Sequence, residues 1–262
     1  MTVPPTLPTV APDWWRTLFD DLYLRTDARS VLDEDLTRRE VDGLLEVLDL
    51  RPGAAILDLC GGHGRHALEL ARRGYGPAFV LDFSLTLVSL GQALAREQGL
   101  PVAFIRADAR CSPLASQSFR VVLCLANSFG YGPTRGDDLQ ILQEARRLLQ
   151  SGGRFFIEVA DPDYVREHLP PQSWHEAGEL VVCRRRWLTE EYLVCREMVL
   201  SCNRGLVRDQ AYKVRLYSAD DLRQCLEDAG FSQITVAGAP DFYARPGDYG
   251  ALNRRLAATA WK

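Results

Sequence analysis

The segment ILDLCGGHGRHALELA, residues 56–71, runs from an apolar stretch through a carboxylate and a cysteine into three glycines within four positions, and then into an alanine- and leucine-rich segment. Preceded by the turn signal Arg51-Pro52-Gly53, it reads as a buried strand over Ala55–Leu59, a tight loop and a helix from Arg65 to Arg73. The unit then repeats. Phe79-Val80-Leu81 ends at Asp82 and precedes helical Leu85–Gln98, Val102–Ile105 ends near Asp108, and Val121–Leu125 ends at Asn127. Helical Asp137–Leu149 stops at Ser151-Gly152-Gly153 before a strand over Arg154–Val159. Strands and helices alternating at these lengths require a doubly wound α/β fold, a mostly parallel sheet covered by helices on both faces.

The flanks follow other patterns. The first twelve residues hold four prolines and no charge, so residues 1–12 are expected to form a flexible arm. Aromatic and leucine spacing predicts a helix from Asp13 to about Leu24 and a second over Leu36–Leu48, giving a helical segment at 13–50 ahead of a core at 51–262. From about Glu179 the segments ELVVCRRRWL, EYLVCREMVLSC and LVRDQAYKVRLY are β-rich with no helix between them, which predicts an antiparallel β insertion within 163–217. A helix over Ala219–Ala229, capped by Ser218 with Asp221 three residues later, restores the α/β pattern, followed by strands near Phe231–Ala237 and Arg255–Trp261.

Composition narrows the partners. A net charge of −4 gives no general attraction to phosphate backbones, so nucleic acid is not expected. No apolar stretch is long enough to cross a bilayer, so no membrane partner is expected either. Seven cysteines without a C-x-x-C pair, and a start lacking a basic segment followed by an apolar core, point to reduced thiols in a cytoplasm.

The glycine loop is expected to hold a cofactor. Glycine lets backbone N–H groups approach a ligand closely, and the helix that follows presents an electropositive end. Gly62-x-Gly64-x-x-Ala67 with Asp82 downstream satisfies a relaxed dinucleotide fingerprint. S-adenosyl-L-methionine fits the same loop and also uses Asp58 and Asp108, two carboxylates that a dinucleotide leaves idle. Its ammonium and sulfonium would be offset by a carboxylate, whereas a pyrophosphate would be repelled.

Asp58-x-x-x-Gly62-x-Gly64, Asp82, Asp108-Ala109 and Asn127-Ser128-Phe129-Gly130-Tyr131, in this order, resemble the motifs of class I S-adenosylmethionine-dependent methyltransferases, in their bacterial small-molecule form. The likeness covers residues 36–160 well, and RLYSADDLRQCLEDAGF is similar to the segment that returns the chain to the sheet in that family. It implies a seven-stranded Rossmann-like sheet. It further implies that Gly61, Gly62 and Gly64 present backbone to the methionine portion, with Asp58 near the ammonium and Cys60 standing where glycine is commoner. Asp82 would take the ribose hydroxyls, Phe83 would flank adenine, and Asp108 with the Ala109 N–H would read the purine edge. Tyr23 would touch the cofactor from a helical lid. Asn127 and Tyr131 would orient a small-molecule acceptor, Asn127 also facing the cofactor, and S-adenosyl-L-homocysteine would be the product.

Methyl transfer to an amine nitrogen is the expected reaction, because resembling enzymes that act on small amines carry a β-sheet where this insertion lies, one that in some of them also mediates dimerisation. Two other outcomes stay open: an NAD-type oxidoreductase and a catalytically silent methyltransferase-like binding subunit. No metal site is expected, since His63 and His66 lack a third ligand in register. His168 and His175 are read as surface residues near the insertion. Arg184-Arg185-Arg186 is read as a solvated strand edge protected against pairing.

Overall fold

A computed structural model describes residues 6–239 and 253–262. The N-terminal segment holds four helices: α1 (Trp15–Leu18), α2 (Asp21–Thr26), α3 (Ala28–Val31) and α4 (Glu34–Leu48). The helix expected over Asp13–Leu24 is therefore split. Asp20 breaks it by adopting an extended conformation and accepting a hydrogen bond from the Tyr23 N–H, which starts α2 afresh.

The core then alternates as β1 (Ile56–Leu59), α5 (Arg65–Arg72), β2 (Ala78–Asp82), α6 (Leu85–Glu97), β3 (Val102–Arg106), β4 (Phe119–Cys124), α7 (Arg135–Leu148) and β5 (Leu149–Ala160). A short α8 (Pro162–His168), capped by Asp161, leads into β6 (Gln172–Ala177), β7 (Leu180–Leu188), β8 (Tyr192–Ser201) and β9 (Gly205–Arg215). The chain returns through α9 (Ala219–Asp228), β10 (Ser232–Gly238) and β11 (Arg255–Trp261).

Seven strands form one sheet in the order β10-β11-β5-β4-β1-β2-β3. Strands β1 to β5 pair in parallel, and β11 runs antiparallel to both β5 and β10. This is the mostly parallel Rossmann-like sheet of the methyltransferase fold. Strands β6 to β9 form a separate four-stranded antiparallel sheet.

Strand alternation explains the two-sided core. Leu57 and Leu59 point to the face covered by Leu142 and Leu148 of α7 and by Leu222 and Leu226 of α9. Ile56 points the other way, with Val121 and Leu123, against Val41, Leu44 and Leu48 of α4. Each such fully buried aliphatic side chain contributes about 1.5–3 kcal/mol, and both faces of β1 are closed to water. Arg255 of β11 ties α4 to this core, reaching Glu40 and Glu158 with its side chain wholly buried.

The order matters for function. From β1 the chain winds outward to β2 and β3, then crosses back to place β4 on the other side of β1. A crevice opens at the carboxyl ends of β1 and β4, where ligands bind in open α/β sheets. Among the described residues no helix is long and apolar enough to cross a membrane.

Candidate functional site

The loop after β1 turns through left-handed backbone at Cys60, Gly62 and Gly64, with φ of 59°, 59° and 74°. Gly61 sits directly over Asp58, and Gly64 lies against Phe104 and Val80, where any β-carbon would come within 2.8 Å. Gly64 thus serves close packing of α5 on the sheet and stands outside the cavity wall. The Gly62 N–H donates to Asp82 at 2.8 Å, while the other Asp82 oxygen accepts from the Ser84 N–H, also at 2.8 Å. Asp82 at the tip of β2 therefore holds the glycine loop in place.

A cavity opens in front of this loop. It receives Asp58, Cys60, Gly61 and Gly62 from the end of β1, and Asp82, Phe83 and Ser84 from the end of β2. Asp108, Ala109 and Arg110 enter after β3, and Ala126, Ser128 and Tyr131 after β4. Trp15, Phe19 and Tyr23 close it from the N-terminal helices.

Asp58 is the unusual group. It is 1% exposed and has no side-chain hydrogen-bond partner, the Ala67 N–H at the start of α5 facing it without closing a well-formed bond and only partly offsetting its burial. Burial pushes its pKa up to about 7, aided by Asp82 and opposed by Arg65. A buried, unpaired carboxylate is costly unless something cationic arrives beside it. Burial also raises Asp82, against the N–H groups that bind it.

Asp108 is held otherwise. Arg110 closes on it through two side-chain contacts, Nε to Oδ1 at 3.0 Å and Nη2 to Oδ2 at 2.7 Å, which keeps the carboxyl below its ordinary range. Arg110 also reaches Asp137 at 2.6 Å and lies over the Trp15 ring. Trp15 meets Phe83 edge-on at 4.9 Å, so this end of the cavity has an aromatic wall.

The histidines of the loop are neutral. Burial and Arg65 push His63 down to about 4, and the same two causes lower His66 to about 4, whose Nε2 lies 2.9 Å from Glu40. Among the described residues no three His, Cys, Asp or Glu side chains stand together as metal ligands. The Cys60 thiol is pushed up by Cys124 beside it and by burial, and so stays protonated.

A second cavity adjoins the first, each of about 160 Å³. Phe19, Tyr23, Ala126 and Tyr131 line both and so form the wall between them. Phe19 stacks on Tyr131 at 5.8 Å and meets Tyr23 edge-on at 5.0 Å. Burial raises both tyrosine hydroxyls far above the neutral range. The loop after β4 is seated on the second sheet, where Gly130 exchanges backbone contact with Arg215 of β9.

Asn127 lies on the second cavity rather than the first, and its Oδ1 accepts from the Ala160 N–H at 2.9 Å. Ala126 and Asn127 both adopt positive φ, 54° and 62°, a strained exit from β4 that turns this loop into the crevice.

Two sequence expectations are corrected in the second cavity. Arg184 and Arg186 are not an open strand edge, because β7 lies between β6 and β8 and its inner face is covered by the N-terminal helices. Arg184 contacts Glu197 and Asp27 at 2.7 Å each. His175 is not on the free surface either; its Nε2 lies 2.9 Å from the Thr26 carbonyl oxygen, on the cavity wall. His168 is exposed and stacks on Tyr164.

Sequence reasoning passes over Arg65 and Arg110 and ascribes Trp15 and Phe19 to helix packing alone, whereas all four lie on the first cavity. Arg65 directly follows the glycine loop at the start of α5, a position that could have marked it.

Residues 56–153 match the family described as "Methyltransferase domain". The ubiquinone/menaquinone biosynthesis C-methyltransferase UbiE of Acidiphilium cryptum is 33% identical over 147 residues, which cover 54% of this chain and 56% of that protein. The chain thus matches little more than half of that relative's length. An S-adenosylmethionine-dependent methyltransferase of Clostridium acetobutylicum superposes with a TM-score of 0.71 at 15% identity, covering 92% of this chain and 96% of the other. The 1,6-didemethyltoxoflavin-N1-methyltransferase of Burkholderia thailandensis, solved with S-adenosylhomocysteine, gives 0.59 at 19% identity, over 99% and 93%. These structural likenesses establish the fold.

Proposed function

We propose, from the premise that this chain carries a class I S-adenosylmethionine-dependent methyltransferase domain, that it transfers a methyl group from S-adenosyl-L-methionine to an amine nitrogen of a small molecule. The bound cofactor supplies an electrophilic methyl group on a sulfonium. The residues present fit it. The buried Asp58 carboxylate suits its ammonium, and the lack of a β-carbon at Gly61 lets the loop lie directly over that carboxylate. A dinucleotide would set a pyrophosphate against that same carboxylate, which disfavours the oxidoreductase reading. Asp82 and Phe83 would meet the ribose and adenine, and Asp108 and Ala109 the purine edge. The helices within residues 13–50 would act as the lid through Trp15, Phe19 and Tyr23.

One observation supports nitrogen over oxygen. The wall shared by the two cavities offers Phe19, Tyr23, Ala126 and Tyr131, and its tyrosines are held protonated by burial. Nothing on that wall can take a proton from a hydroxyl, whereas an amine that arrives neutral needs no base for the displacement itself. The nitrogen-directed toxoflavin enzyme of the same fold agrees with this reading. Carbon methylation is the second reading, favoured by the name of the Acidiphilium cryptum relative.

The seven free thiols suit a cytoplasmic enzyme. A homodimer through the open edge strands β6 and β9 belongs to the same reading, with Trp174 of β6 69% exposed. Incubation with methyl-labelled S-adenosylmethionine and a cell extract, followed by mass spectrometry, tests the reaction. A labelled N-methyl product supports it; label on carbon turns the assignment to the second reading.

A further inference from the structure

The second cavity carries a cation that the protein does not neutralise. Arg186 lines it from β7, and only its Nη1 is committed, donating to the Ser173 hydroxyl at 2.9 Å and to the Pro170 carbonyl at 3.1 Å. Among the described residues no carboxylate forms an ion pair with it. The two acidic side chains on the same wall, Asp27 and Glu197, are both closed around Arg184, and Glu197 is also approached by Arg208 at 3.4 Å.

A second donor lies on the same wall. Trp14 is 2% exposed, and its indole Nε1 is buried without a hydrogen-bond partner. Its ring packs against Tyr131 at 5.0 Å and Tyr212 at 5.4 Å, so it is fixed in place beside the wall facing the first cavity. An indole N–H and a guanidinium can only donate. Burying the indole N–H without an acceptor costs free energy that a ligand bearing oxygen acceptors would recover, and the half-buried guanidinium beside it offers such a ligand a charge partner.

We propose that the second cavity binds a small acceptor carrying a carboxylate, which pairs with the free Nε and Nη2 edge of Arg186. Its apolar body lies against Leu193, Val214 and the aromatic wall, and its methyl-accepting atom is directed towards Tyr23 and Tyr131. A planar guanidinium with two free nitrogens matches a carboxylate in a way that a carboxamide of the same shape does not. This inference rests on the methyltransferase reading of the adjoining cavity.

The test measures methyl transfer from labelled S-adenosylmethionine to a panel of small aromatic and aliphatic amines, each supplied as a carboxylate and as the matching carboxamide, 4-aminobenzoate and 4-aminobenzamide among them. The carboxylate members are expected to react at least about thirtyfold faster in kcat/KM than their carboxamides, with Arg186→Gln removing that preference and Arg186→Lys restoring part of it. S-adenosylhomocysteine titration of each variant reports that the fold and the cofactor site persist. Equal rates on carboxylates and carboxamides, a preference unchanged in Arg186→Gln, or no reaction with either series in a protein that binds S-adenosylhomocysteine overturns the inference. Failure to bind S-adenosylhomocysteine at all overturns instead the reading on which it rests.

Discussion

The β-carbon that Gly61 lacks would stand 2.5 Å from the carboxyl carbon of Asp58. Glycine is therefore demanded at this position by the buried carboxylate beneath the loop. Gly61→Ala forces the Asp58 side chain or the loop to shift, a change of the kind that costs about 1–3 kcal/mol. We expect affinity for S-adenosylhomocysteine to fall at least about tenfold, measured by calorimetric titration. Unchanged affinity would show that the loop and Asp58 do not bind the cofactor together.

Asp58 should also make binding pH-dependent. Its pKa is raised by burial from an ordinary 3.8 to about 7, so the free protein holds it largely protonated at pH 6. An ammonium needs the ionised form. Affinity for S-adenosylhomocysteine should therefore rise from pH 6 to pH 8, by at most about tenfold per unit below the pKa, and Asp58→Asn should flatten the profile.

The same shift predicts the opposite trend for stability without ligand. The folded pKa lies above the unfolded one, so between about pH 4 and pH 7 the native state holds a proton that the unfolded chain has released. The contribution of Asp58 is full below this window and is lost as pH rises through it. In urea unfolding, the stability of the wild type relative to Asp58→Asn should decline from pH 5 to pH 8. A difference that grows with pH would mean that a cation already neutralises this carboxylate.

Much of the crevice was legible in sequence because it is built from strand tips. Asp82 ends β2, Asp58 stands one residue before the end of β1 and Asp108 two residues past the end of β3, and the doubly wound order brings these strand ends together. Asn127 shows where that reasoning stops. Its position after β4 is readable, but the side chain turns to the Ala160 N–H, a contact set by the packing of β4 against β5. The second cavity was less legible still. Arg184, Arg186 and His175 depend on how a four-stranded sheet lies against helices more than a hundred residues earlier in the chain. A triplet of arginines looks the same in sequence on an open edge and on an inner strand.

Tyr131 and Tyr23 should separate binding from turnover. Both line the wall between the cavities and remain protonated. Removing either hydroxyl by Tyr131→Phe or Tyr23→Phe is expected to leave S-adenosylhomocysteine affinity within about twofold and to lower kcat about tenfold or more, because alignment of the acceptor is lost. Equal losses in both quantities would make these tyrosines cofactor contacts rather than acceptor-positioning groups.

Arg255 holds α4 to the sheet through Glu40 at 2.6 Å and through Glu158, with no exposure of its side chain. Arg255→Ala would leave the buried Glu158 without its cation and Glu40 with Arg65 in place of two guanidinium partners. A loss of about 3–5 kcal/mol in urea unfolding is expected. A loss below about 1 kcal/mol would mean that water enters to replace the guanidinium.

The most direct measurement is a crystal structure of this protein with S-adenosylhomocysteine. The ammonium should lie within about 3 Å of the Asp58 carboxylate, with the ribose hydroxyls on Asp82 and the nucleoside beside Phe83. A ligand seated elsewhere, or a crevice filled by side chains with Asp58 still unpaired, would contradict the account.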